Sequence, residues 1–340
     1  MSKRIAINGL GRIGRAFLKV AIKRKEVEIV AVNDLGDLEN LAYLLKYDSA
    51  YGVNDEKIET KDGNLVINGH EIKFLQEKDP SKLPWGDLKV DVVVEATGAF
   101  AGFEKSKPHI DAGAKRVVVS APVKDEPPEG IDGATVLMGV NEDRLKTCDI
   151  SSNASCTTNA ASPLIQILHE SIGIEKAMLN TIHGYTATQS LVDGPHKKDP
   201  RRGRAAAVNI IPTTTGAAVA VTKAVTDLDG KFDGIATRVP VLTGSIADIT
   251  FVSKSDTTAE EVNDIFKKAA ADPRWSAVFT ITEEPLVSSD IVGNKYAAIA
   301  DLEYTSVVGG NLVKVLSWYD NEIGYTYALV EHVVKTASYV

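Results

Sequence analysis

Cys156 stands in the stretch SNASCTTNA, among small and hydroxyl-bearing neighbours. A free cysteine more often behaves as a small buried hydrophobe, so this polar setting indicates chemistry at the sulfur. The residues after it form an apolar stripe at helical spacing. Pro163 leaves two possible helix starts, near Ser162 or at Thr157 with a kink at the proline. With the second start, Cys156 occupies a helix N-terminus, where the dipole lowers a thiol pKa from about 8.5.

A histidine follows the next predicted strand, Lys176–Ile182. Some 15 helical residues extend roughly 22 Å, and eight or nine strand residues return roughly 28 Å. A strand that runs back along the helix therefore brings His183 level with Cys156. A Cys–His pair can generate a nucleophilic thiolate near neutral pH. Cys148 has no such partner in sequence and is expected to be structural.

The N-terminal region has the pattern of a nucleotide-binding turn. A strand over Lys3–Asn8 is followed by the glycine motif GLGRIG, a helical stripe and a second strand over Val27–Val32. Asp34 follows that strand, 20 residues after the last glycine of the motif. This order of elements is typical of a dinucleotide site. The Asp34 carboxylate is expected to accept hydrogen bonds from the adenosine ribose.

Each glycine of the motif has a separate predicted task. Gly9 permits the tight turn, Gly11 lets a pyrophosphate approach the backbone, and Gly14 lets helix and strand pack closely. The N–H groups at the start of the helix are unpaired and suit phosphate oxygens.

Two further valine-rich runs, Val90–Glu95 and Arg116–Ser120, predict strands buried on both faces of a parallel sheet. Ligands bind at the carboxyl ends of such strands. Thr97 and Ser120 are therefore candidates for cofactor contact, although Thr97 suits turn formation equally well.

Two regions suggest anion binding. The run His196–Arg204 holds five lysines and arginines, and Ile210–Ala218 predicts a threonine-lined helix start. Arg238 lies between apolar neighbours, and a buried arginine needs a carboxylate or phosphate partner. A cysteine nucleophile, a dinucleotide and two anion sites together indicate aldehyde oxidation through a thioester that phosphate cleaves.

Composition restricts the class of protein. The chain has 340 residues and a formal net charge of −8, which argues against general binding to nucleic acid or anionic membranes. No apolar run approaches the roughly 18 residues of a membrane span. Two cysteines eight positions apart make a poor disulfide framework, so a cytoplasmic location is expected. No metal site is predicted.

With these motifs in place, the sequence resembles phosphorylating glyceraldehyde-3-phosphate dehydrogenase from end to end. The resemblance rests on INGLGRIGR, SNASCTTN, HGYTATQ, NIIPTTTGAA, TRVP and WYDNEIGY, in that order. It implies Cys156 as nucleophile, His183 as base, NAD as cofactor, and glyceraldehyde 3-phosphate and inorganic phosphate as substrates. The phosphate-binding residues that it implies are Ser155, Thr157, Thr215 and Gly216 at one position, Thr186 and Arg238 at the other, and Arg202 and Arg204 nearby. The cofactor contacts that it implies are Arg12, Ile13, Asp34, Ser120 and, through the nicotinamide carboxamide, Asn321.

The resemblance also implies an α/β architecture. A Rossmann-type dinucleotide-binding domain would span residues 1–151, and an α+β catalytic domain with a mainly antiparallel sheet would span 152–318. A C-terminal helix over 319–340 would return to the first domain. The family is homotetrameric, with the loop around residues 185–207 at a subunit interface.

Three positions depart from the family pattern. Lys78 stands where arginine is common and an adenine-side contact is expected, Ala160 replaces a frequent second cysteine, and Ile323 replaces a frequent aromatic. Three other functions remain open from the residues alone: the related erythrose-4-phosphate dehydrogenase, a cysteine hydrolase and a non-catalytic binding protein.

Overall fold

A computed structural model of the chain describes residues 2–340. It contains two compact units. The first comprises the chain up to Val136 with residues 141–154 and 329–340, and the second comprises residues 137–140 and 155–328. The sequence-based limits at 151 and 318 remain predictions for the functional domains. Within residues 2–340, no helix is both long and apolar enough to cross a membrane.

The first unit is built on a nine-stranded sheet in the order β10-β11-β9-β8-β1-β2-β7-β6-β5. Strands β10 to β7 along this order are parallel, and β6 and β5 extend the sheet as antiparallel strands. The elements are β1 (Lys3–Asn8), α1 (Arg12–Ala21), β2 (Val27–Asn33), α2 (Leu38–Lys46), β3 (Tyr47–Asp48), β4 (Gly52–Val53), β5 (Ile58–Lys61), β6 (Asn64–Ile67), β7 (His70–Leu75), β8 (Val92–Glu95), α3 (Phe103–Asp111), β9 (Arg116–Val119), β10 (Gly133–Thr135) and β11 (Ile150–Ser152).

The glycine turn between β1 and α1 has the stereochemistry that its motif predicts. Gly9 has φ +99°, a conformation that disfavours any other residue. A Cβ atom on Gly14 would lie 1.9 Å from the Gly9 carbonyl oxygen, so the helix packs against the turn only without a side chain. A Cβ on Gly11 would meet nothing within 4 Å. Gly11 therefore leaves open space beside the backbone.

The second unit contains a seven-stranded sheet in the order β13-β14-β12-β15-β18-β17-β16. Four of its six strand pairs are antiparallel, and β12–β14 and β16–β17 are parallel. The remaining elements of the chain are α4 (Cys156–Ile172), β12 (Ile174–Gly184), β13 (Ile211–Thr214), α5 (Ala217–Thr222), β14 (Phe232–Val239), β15 (Ser245–Ser253), α6 (Ala259–Ala270), β16 (Phe279–Thr282), α7 (Ser288–Ile291), β17 (Ala298–Val308), β18 (Leu312–Tyr319) and α8 (Ile323–Ser338). A Rossmann-type unit and an α+β unit with a mainly antiparallel sheet confirm the predicted fold class.

The structure decides one open helix start and corrects two element boundaries. Helix α4 begins at Cys156 and continues through Pro163, which agrees with the second predicted start to within one residue. Strand β12 extends beyond Ile182 and includes His183. The segment Ile211–Thr214 is an edge strand paired with β14, rather than a helix start.

The C-terminal part of α8 is fixed within the first unit by a buried histidine. His332 is fully buried, with Nε2 2.7 Å from the Ser151 hydroxyl and Nδ1 3.1 Å from Asn153 Oδ1. The amide oxygen can only accept, so Nδ1 carries the proton and the ring is neutral. Burial lowers the pKa of His332 to about 3.

This lowered pKa predicts acid sensitivity. The unfolded chain protonates His332 below pH 6.5 and the folded protein does not until about pH 3, so stability is lost as pH falls through that window. The contribution is about 1.4 kcal/mol per pH unit. In urea unfolding of the natural protein between pH 6.5 and 5, His332 should contribute this slope in addition to that of the similarly shifted His183. His332→Gln should therefore lower the total slope by about 1.4 kcal/mol per pH unit. The exposed His70→Gln is the control, and an unchanged slope in His332→Gln would contradict the assignment.

Candidate active site

The nucleophile candidate lies at the start of α4. Ser155 caps the helix by accepting from the Thr158 N–H at 3.1 Å, which leaves Cys156 as its first residue. Strand β12 returns along the helix, as its length predicts. Cys156 Sγ consequently lies 3.4 Å from His183 Nε2. The two residues form one site although 27 positions separate them.

The other ring nitrogen of His183 decides which proton the pair can exchange. Nδ1 lies 2.6 Å from the Gly184 carbonyl oxygen, which can only accept a hydrogen bond. Nδ1 therefore carries the proton, and Nε2 presents its lone pair to the thiol. Arg238 Nη1 donates to the same carbonyl at 3.1 Å and lies 3.0 Å from Nδ1, where it acts as a neighbouring charge. This tautomer suits His183 as a base toward Cys156.

Burial sets the charge state of the pair. It raises the pKa of the Cys156 thiol, against the opposing influence of Arg238 and of hydrogen bonding by Thr157. The sequence-based expectation of a lowered thiol pKa is thus wrong for this structure, because desolvation exceeds the effect of the helix N-terminus. Burial and Arg238 lower the pKa of His183 to about 3. Both partners are therefore neutral at pH 7.

Tyr319, which the sequence did not single out, contacts the His183 ring directly and bonds to Thr157, the residue after Cys156. Its hydroxyl lies 2.8 Å from Thr157 Oγ1 and 2.7 Å from Thr181 Oγ1. Its ring meets that of His183 edge-on at 5.9 Å. Thr157 was predicted to contact phosphate through the resemblance, whereas its buried hydroxyl faces Tyr319. The position of Tyr319 two residues before Asn321 in WYDN is the only sequence signal for it.

The first predicted anion position brings together the starts of α4 and α5. Thr158 Oγ1 lies 2.8 Å from Ser155 Oγ and donates to the Ala217 carbonyl at 3.4 Å. Thr215 Oγ1 accepts from the Ala217 N–H at 3.2 Å, so its own proton stays available. Gly216 is the N-cap of α5 and is exposed. The Thr215 hydroxyl and the helix start at Gly216 suit a phosphate oxygen.

The second predicted position centres on Arg238. Strand pairing places Arg238 directly beside His183 in the sheet. Desolvation lowers the pKa of Arg238, and its Nη1 donates to the Gly184 carbonyl rather than to a carboxylate. A partly desolvated guanidinium in this state favours an anion as its remaining partner.

The basic run His196–Arg204 contributes less positive charge to the anion sites than its five lysines and arginines suggest. Arg202 donates to Thr213 Oγ1 at 2.9 Å and pairs with Asp199. The exposed Arg204 pairs with Asp193 at 2.8 Å, so its guanidinium is directed into the loop rather than toward Arg238. Thr186 follows β12, with its hydroxyl 2.8 Å from that of Thr188. Of the loop arginines, Arg202 is the one whose charge acts on Arg238.

Asn321 is oriented by two hydroxyl groups that the sequence analysis missed. Its Oδ1 accepts from Ser245 Oγ at 2.8 Å and lies 3.3 Å from Thr243 Oγ1, whose single proton is shared with Asp320 Oδ1 at 3.0 Å. Ser245 Oγ also accepts from the Gly184 N–H at 3.2 Å. Because its oxygen is satisfied, Asn321 presents Nδ2 as a donor. Ser245 thereby connects this amide to the backbone after His183.

A cavity of about 800 Å³ opens at the carboxyl ends of the strands of the first unit. Five of the predicted cofactor residues line it, namely Gly9, Gly11, Asp34, Lys78 and Thr97. Asp34 is held by the Leu10 N–H on one carboxylate oxygen (2.6 Å) and the Gly36 N–H on the other (2.8 Å). Its remaining lone pairs can accept further hydroxyl groups. This cavity has the size and the donor set that a dinucleotide requires.

Four other predicted cofactor residues of this unit do not line the cavity. Gly14 serves the packing of α1, and Ile13 lies within that helix. Ser120 donates its backbone N–H to the Glu95 backbone carbonyl at 2.9 Å. Arg12 forms an ion pair with Asp48 at 2.8 Å. Their contact with a cofactor stays a prediction from the resemblance.

Two family models match the chain. One describes the glyceraldehyde 3-phosphate dehydrogenase NAD binding domain and covers residues 3–102, and the other describes the C-terminal domain and covers 155–321. A relative from Thermotoga maritima named glyceraldehyde-3-phosphate dehydrogenase is 50% identical over 331 residues, which are 96% of this chain and 97% of the relative. Relatives of the same name from Borreliella burgdorferi and Geobacillus stearothermophilus are 47% and 46% identical, covering 96% and 99% of this chain and 98% and 99% of theirs.

The chain belongs to the glyceraldehyde-3-phosphate dehydrogenase family. The resemblance stated from the motifs is confirmed. The structure accommodates the three departures from the family pattern without loss of the residues described above. Ala160 is fully buried and its carbonyl accepts from Ser317, Lys78 lines the dinucleotide cavity, and Ile323 is the first residue of α8.

For this member of the glyceraldehyde-3-phosphate dehydrogenase family, the Cys156–His183 contact predicts the effect of His183→Asn. The thiol loses its proton acceptor, so its alkylation by iodoacetamide at pH 7 should slow, and the turnover number should fall by roughly 10²–10⁴. The assay is best made in a Cys148→Ser background, which leaves one thiol.

The matched control is His169→Asn, which removes a histidine at the opposite end of α4. Its alkylation rate should equal that of the natural protein. Equal rates in the control and in His183→Asn would refute the proposed pairing.

Proposed function

We propose that this chain oxidises glyceraldehyde 3-phosphate with NAD and inorganic phosphate to 1,3-bisphosphoglycerate, the reaction of glycolysis and gluconeogenesis. The observation that carries the proposal is the 3.4 Å approach of Cys156 Sγ to His183 Nε2 beside Arg238. A thiol, a base and a guanidinium in one place suit covalent oxidation of a phosphorylated aldehyde.

The neutral thiol and imidazole indicate how the covalent step begins. Cys156 Sγ attacks the aldehyde carbon while His183 Nε2 accepts the thiol proton. His183 returns this proton to the former aldehyde oxygen, which yields a neutral hemithioacetal on the sulfur and a neutral imidazole. This coupling avoids a free thiolate in a buried site, where desolvation makes that anion costly. The edge contact with Tyr319 and the Gly184 carbonyl hold the imidazole in place.

Oxidation then converts the hemithioacetal to a thioester. NAD, when bound, supplies the hydride acceptor. His183 assists by taking the proton of the hemithioacetal hydroxyl. Asn321 Nδ2 would hold the nicotinamide through its carboxamide, as the resemblance implies. The thioester on Cys156 retains the oxidation energy until inorganic phosphate attacks its acyl carbon. The C–S bond then breaks, the acyl phosphate leaves, and the Cys156 sulfur regains a proton from His183.

Two phosphate groups require two anion sites. We assign Arg238 and Thr186 to one, supported by the desolvated guanidinium, and Ser155, Thr215 and Gly216 to the other, supported by the Thr215 hydroxyl, which keeps its proton to donate. Arg202 adds positive charge near the Arg238 site. The pairing of Arg204 with Asp193 makes Arg204 the weakest of the predicted ligands.

The first unit fits NAD. The open space at Gly11 and the tight packing of Gly14 allow a pyrophosphate close to the start of α1. Asp34, fixed by two backbone N–H groups, is positioned to accept from the ribose. A 2′-phosphate would place a second anion against this carboxylate, which favours NAD over NADP.

The alternatives have less support. A cysteine hydrolase leaves the 800 Å³ cavity and the match to an NAD-binding family model unexplained. The three relatives reported above carry the glyceraldehyde-3-phosphate name rather than that of erythrose 4-phosphate. Retention of Cys156, His183 and Arg238 in contact disfavours a non-catalytic binding protein.

A homotetramer is part of the proposal. Large apolar side chains are exposed on the second unit, and an exposed apolar surface of this kind suits subunit contacts. They include Met178, Leu191, Val192, Val208, Ile210 and Ile235. The free state of both cysteines is compatible with a reducing cytoplasm. Light scattering of the purified protein tests the assembly.

Substitution of Cys156 tests its role as the nucleophile. The natural protein should reduce NAD when given glyceraldehyde 3-phosphate and phosphate, followed at 340 nm. Cys156→Ser should abolish this activity, because a hydroxyl is a far weaker nucleophile than a thiol, and should still bind NAD by calorimetry. Cys148→Ser is the matched control and should remain active. Activity in Cys156→Ser would refute the covalent mechanism.

Substitution of Asp34 tests the preference for NAD over NADP. Asp34→Asn removes the charge but keeps one oxygen as acceptor, so the ratio of kcat/KM for NAD to that for NADP should fall roughly tenfold or more. Asp55→Asn makes the same charge change at an exposed residue outside the cavity lining and should leave the ratio unaltered. A natural protein that prefers NADP would overturn this assignment.

A further inference from the structure

A buried carboxylate lies beneath the dinucleotide cavity and takes no part in the proposed chemistry. Glu95, the last residue of β8, is 1% exposed. Its Oε1 accepts from the Thr97 N–H at 2.8 Å and from the Thr97 hydroxyl. Its Oε2 accepts from Asn8 Nδ2 at 2.6 Å and lies 3.2 Å from His109 Nε2. Such a group is costly to bury unless its acceptor sites are satisfied.

The protonation of His109 follows from its second neighbour. Trp85 Nε1 is only a donor and lies 3.0 Å from His109 Nδ1, so Nδ1 must accept. The ring proton is therefore on Nε2, directed at Glu95. With this tautomer, four donors surround the carboxylate: two from Thr97, one from Asn8 and one from His109.

The same network continues along the carboxyl ends of the neighbouring strands. Asn8 Oδ1 accepts from Asn33 Nδ2 at 2.7 Å. Asn33 in turn donates to the Glu77 carbonyl at 2.9 Å and accepts from the Glu77 N–H at 2.8 Å. Asn8, Asn33, Glu77 and Thr97 all line the cavity. One buried carboxylate thus connects the ends of β8, β1 and β2, where the cofactor is expected.

Thr97 itself is committed to this network. Its hydroxyl donates to Glu95 and accepts from the Ala99 N–H at 3.0 Å, and Gly98 between them has φ +72°. Of the two roles that the sequence left open for Thr97, turn formation is the one that these bonds describe.

We propose that Glu95 is a positioning residue for NAD binding, which preorganises the Thr97 turn and Asn8 and is itself held by His109 and Trp85. The proposal rests on NAD binding to this unit, as in the proposed function. A loop fixed before binding need not be ordered on binding, so the network increases affinity without contact to the reacting atoms.

Glu95→Gln tests the proposal with little change in shape. An amide has one acceptor oxygen and an NH2 group, so either orientation turns two hydrogens toward existing donors. Calorimetric Kd for NAD should rise roughly 10-fold to 100-fold, the range of a lost hydrogen bond to a charged group. kcat at saturating NAD should change less than twofold, because Cys156 and His183 are untouched.

Asp91→Asn is the matched control. Asp91 precedes the same strand at its other end, is a carboxylate that is 8% exposed, and accepts from the Arg4 N–H and Lys115. It does not line the cavity. This variant should lose thermal stability and bind NAD normally. Equal weakening of NAD binding in Asp91→Asn and Glu95→Gln would reduce Glu95 to a structural residue and overturn the proposal.

A second change tests the tautomer. Trp85→Phe removes the indole N–H, so His109 can move its proton to Nδ1 and accept at Nε2 from the new amide. Adding Trp85→Phe to Glu95→Gln should therefore restore part of the lost affinity. The rise in Kd for NAD in the double variant should be smaller than the product of the rises in the two single variants. A rise equal to that product would refute the assigned role of His109.

A milder pair of variants applies if Glu95→Gln does not fold. Thr97→Val removes the bridging hydroxyl at an exposed position and should raise Kd several-fold, whereas Thr97→Ser should retain the natural affinity. Equal affinity in both variants would overturn the proposal. Failure of the natural protein to bind NAD would instead overturn the proposed function together with this inference.

Discussion

The contact between Cys156 and His183 depends on a single topological constraint, the return of β12 along α4. The helix carries the chain away from Cys156, and the strand must be long enough to bring it back. Parallel pairing of β12 with β14 then fixes Arg238 beside His183. Because the base lies near the end of a central strand, its position is set by pairing of His183 with β14 and by pairing of β12 with β15 up to Ile182. A strand shifted by one residue would turn His183 away from the thiol.

Enclosure of this pair has an electrostatic consequence. Desolvation raises the pKa of the thiol and lowers that of the imidazole, so the site holds neutral partners with Arg238 as the neighbouring fixed charge. A phosphorylated substrate adds the opposite charge. In the free protein, the positive charge of Arg238 opposes protonation of His183. An incoming phosphate reduces that positive potential and so eases protonation of His183.

Three polar residues of the candidate sites, Asn321, Asp34 and Thr97, share one feature: another group of the protein hydrogen-bonds to part of each side chain. Ser245 and Thr243 occupy the oxygen of Asn321, and backbone N–H groups of Leu10 and Gly36 fix Asp34. Glu95 fixes Thr97 in the same way. A side chain held at one end presents the other in a single orientation, and its ordering is complete before a ligand arrives. These supporting residues have little sequence signature, because a serine or threonine in a strand has many structural uses.

The sequence by itself determined the features that depend on neighbours along the chain. The glycine spacing required the turn at Gly9, and the lengths of helix and strand brought His183 to Cys156. It did not determine the start of α4, where Pro163 allowed two solutions, or the edge strand at Ile211–Thr214, which forms only because β14 offers a pairing partner. Tertiary structure alone decided that Thr157 faces Tyr319, that Arg204 pairs with Asp193 and that burial raises the thiol pKa. The physical reason is that hydrogen-bond partners and desolvation depend on groups brought together from distant parts of the chain, whereas turn geometry and periodicity depend on residues that are adjacent.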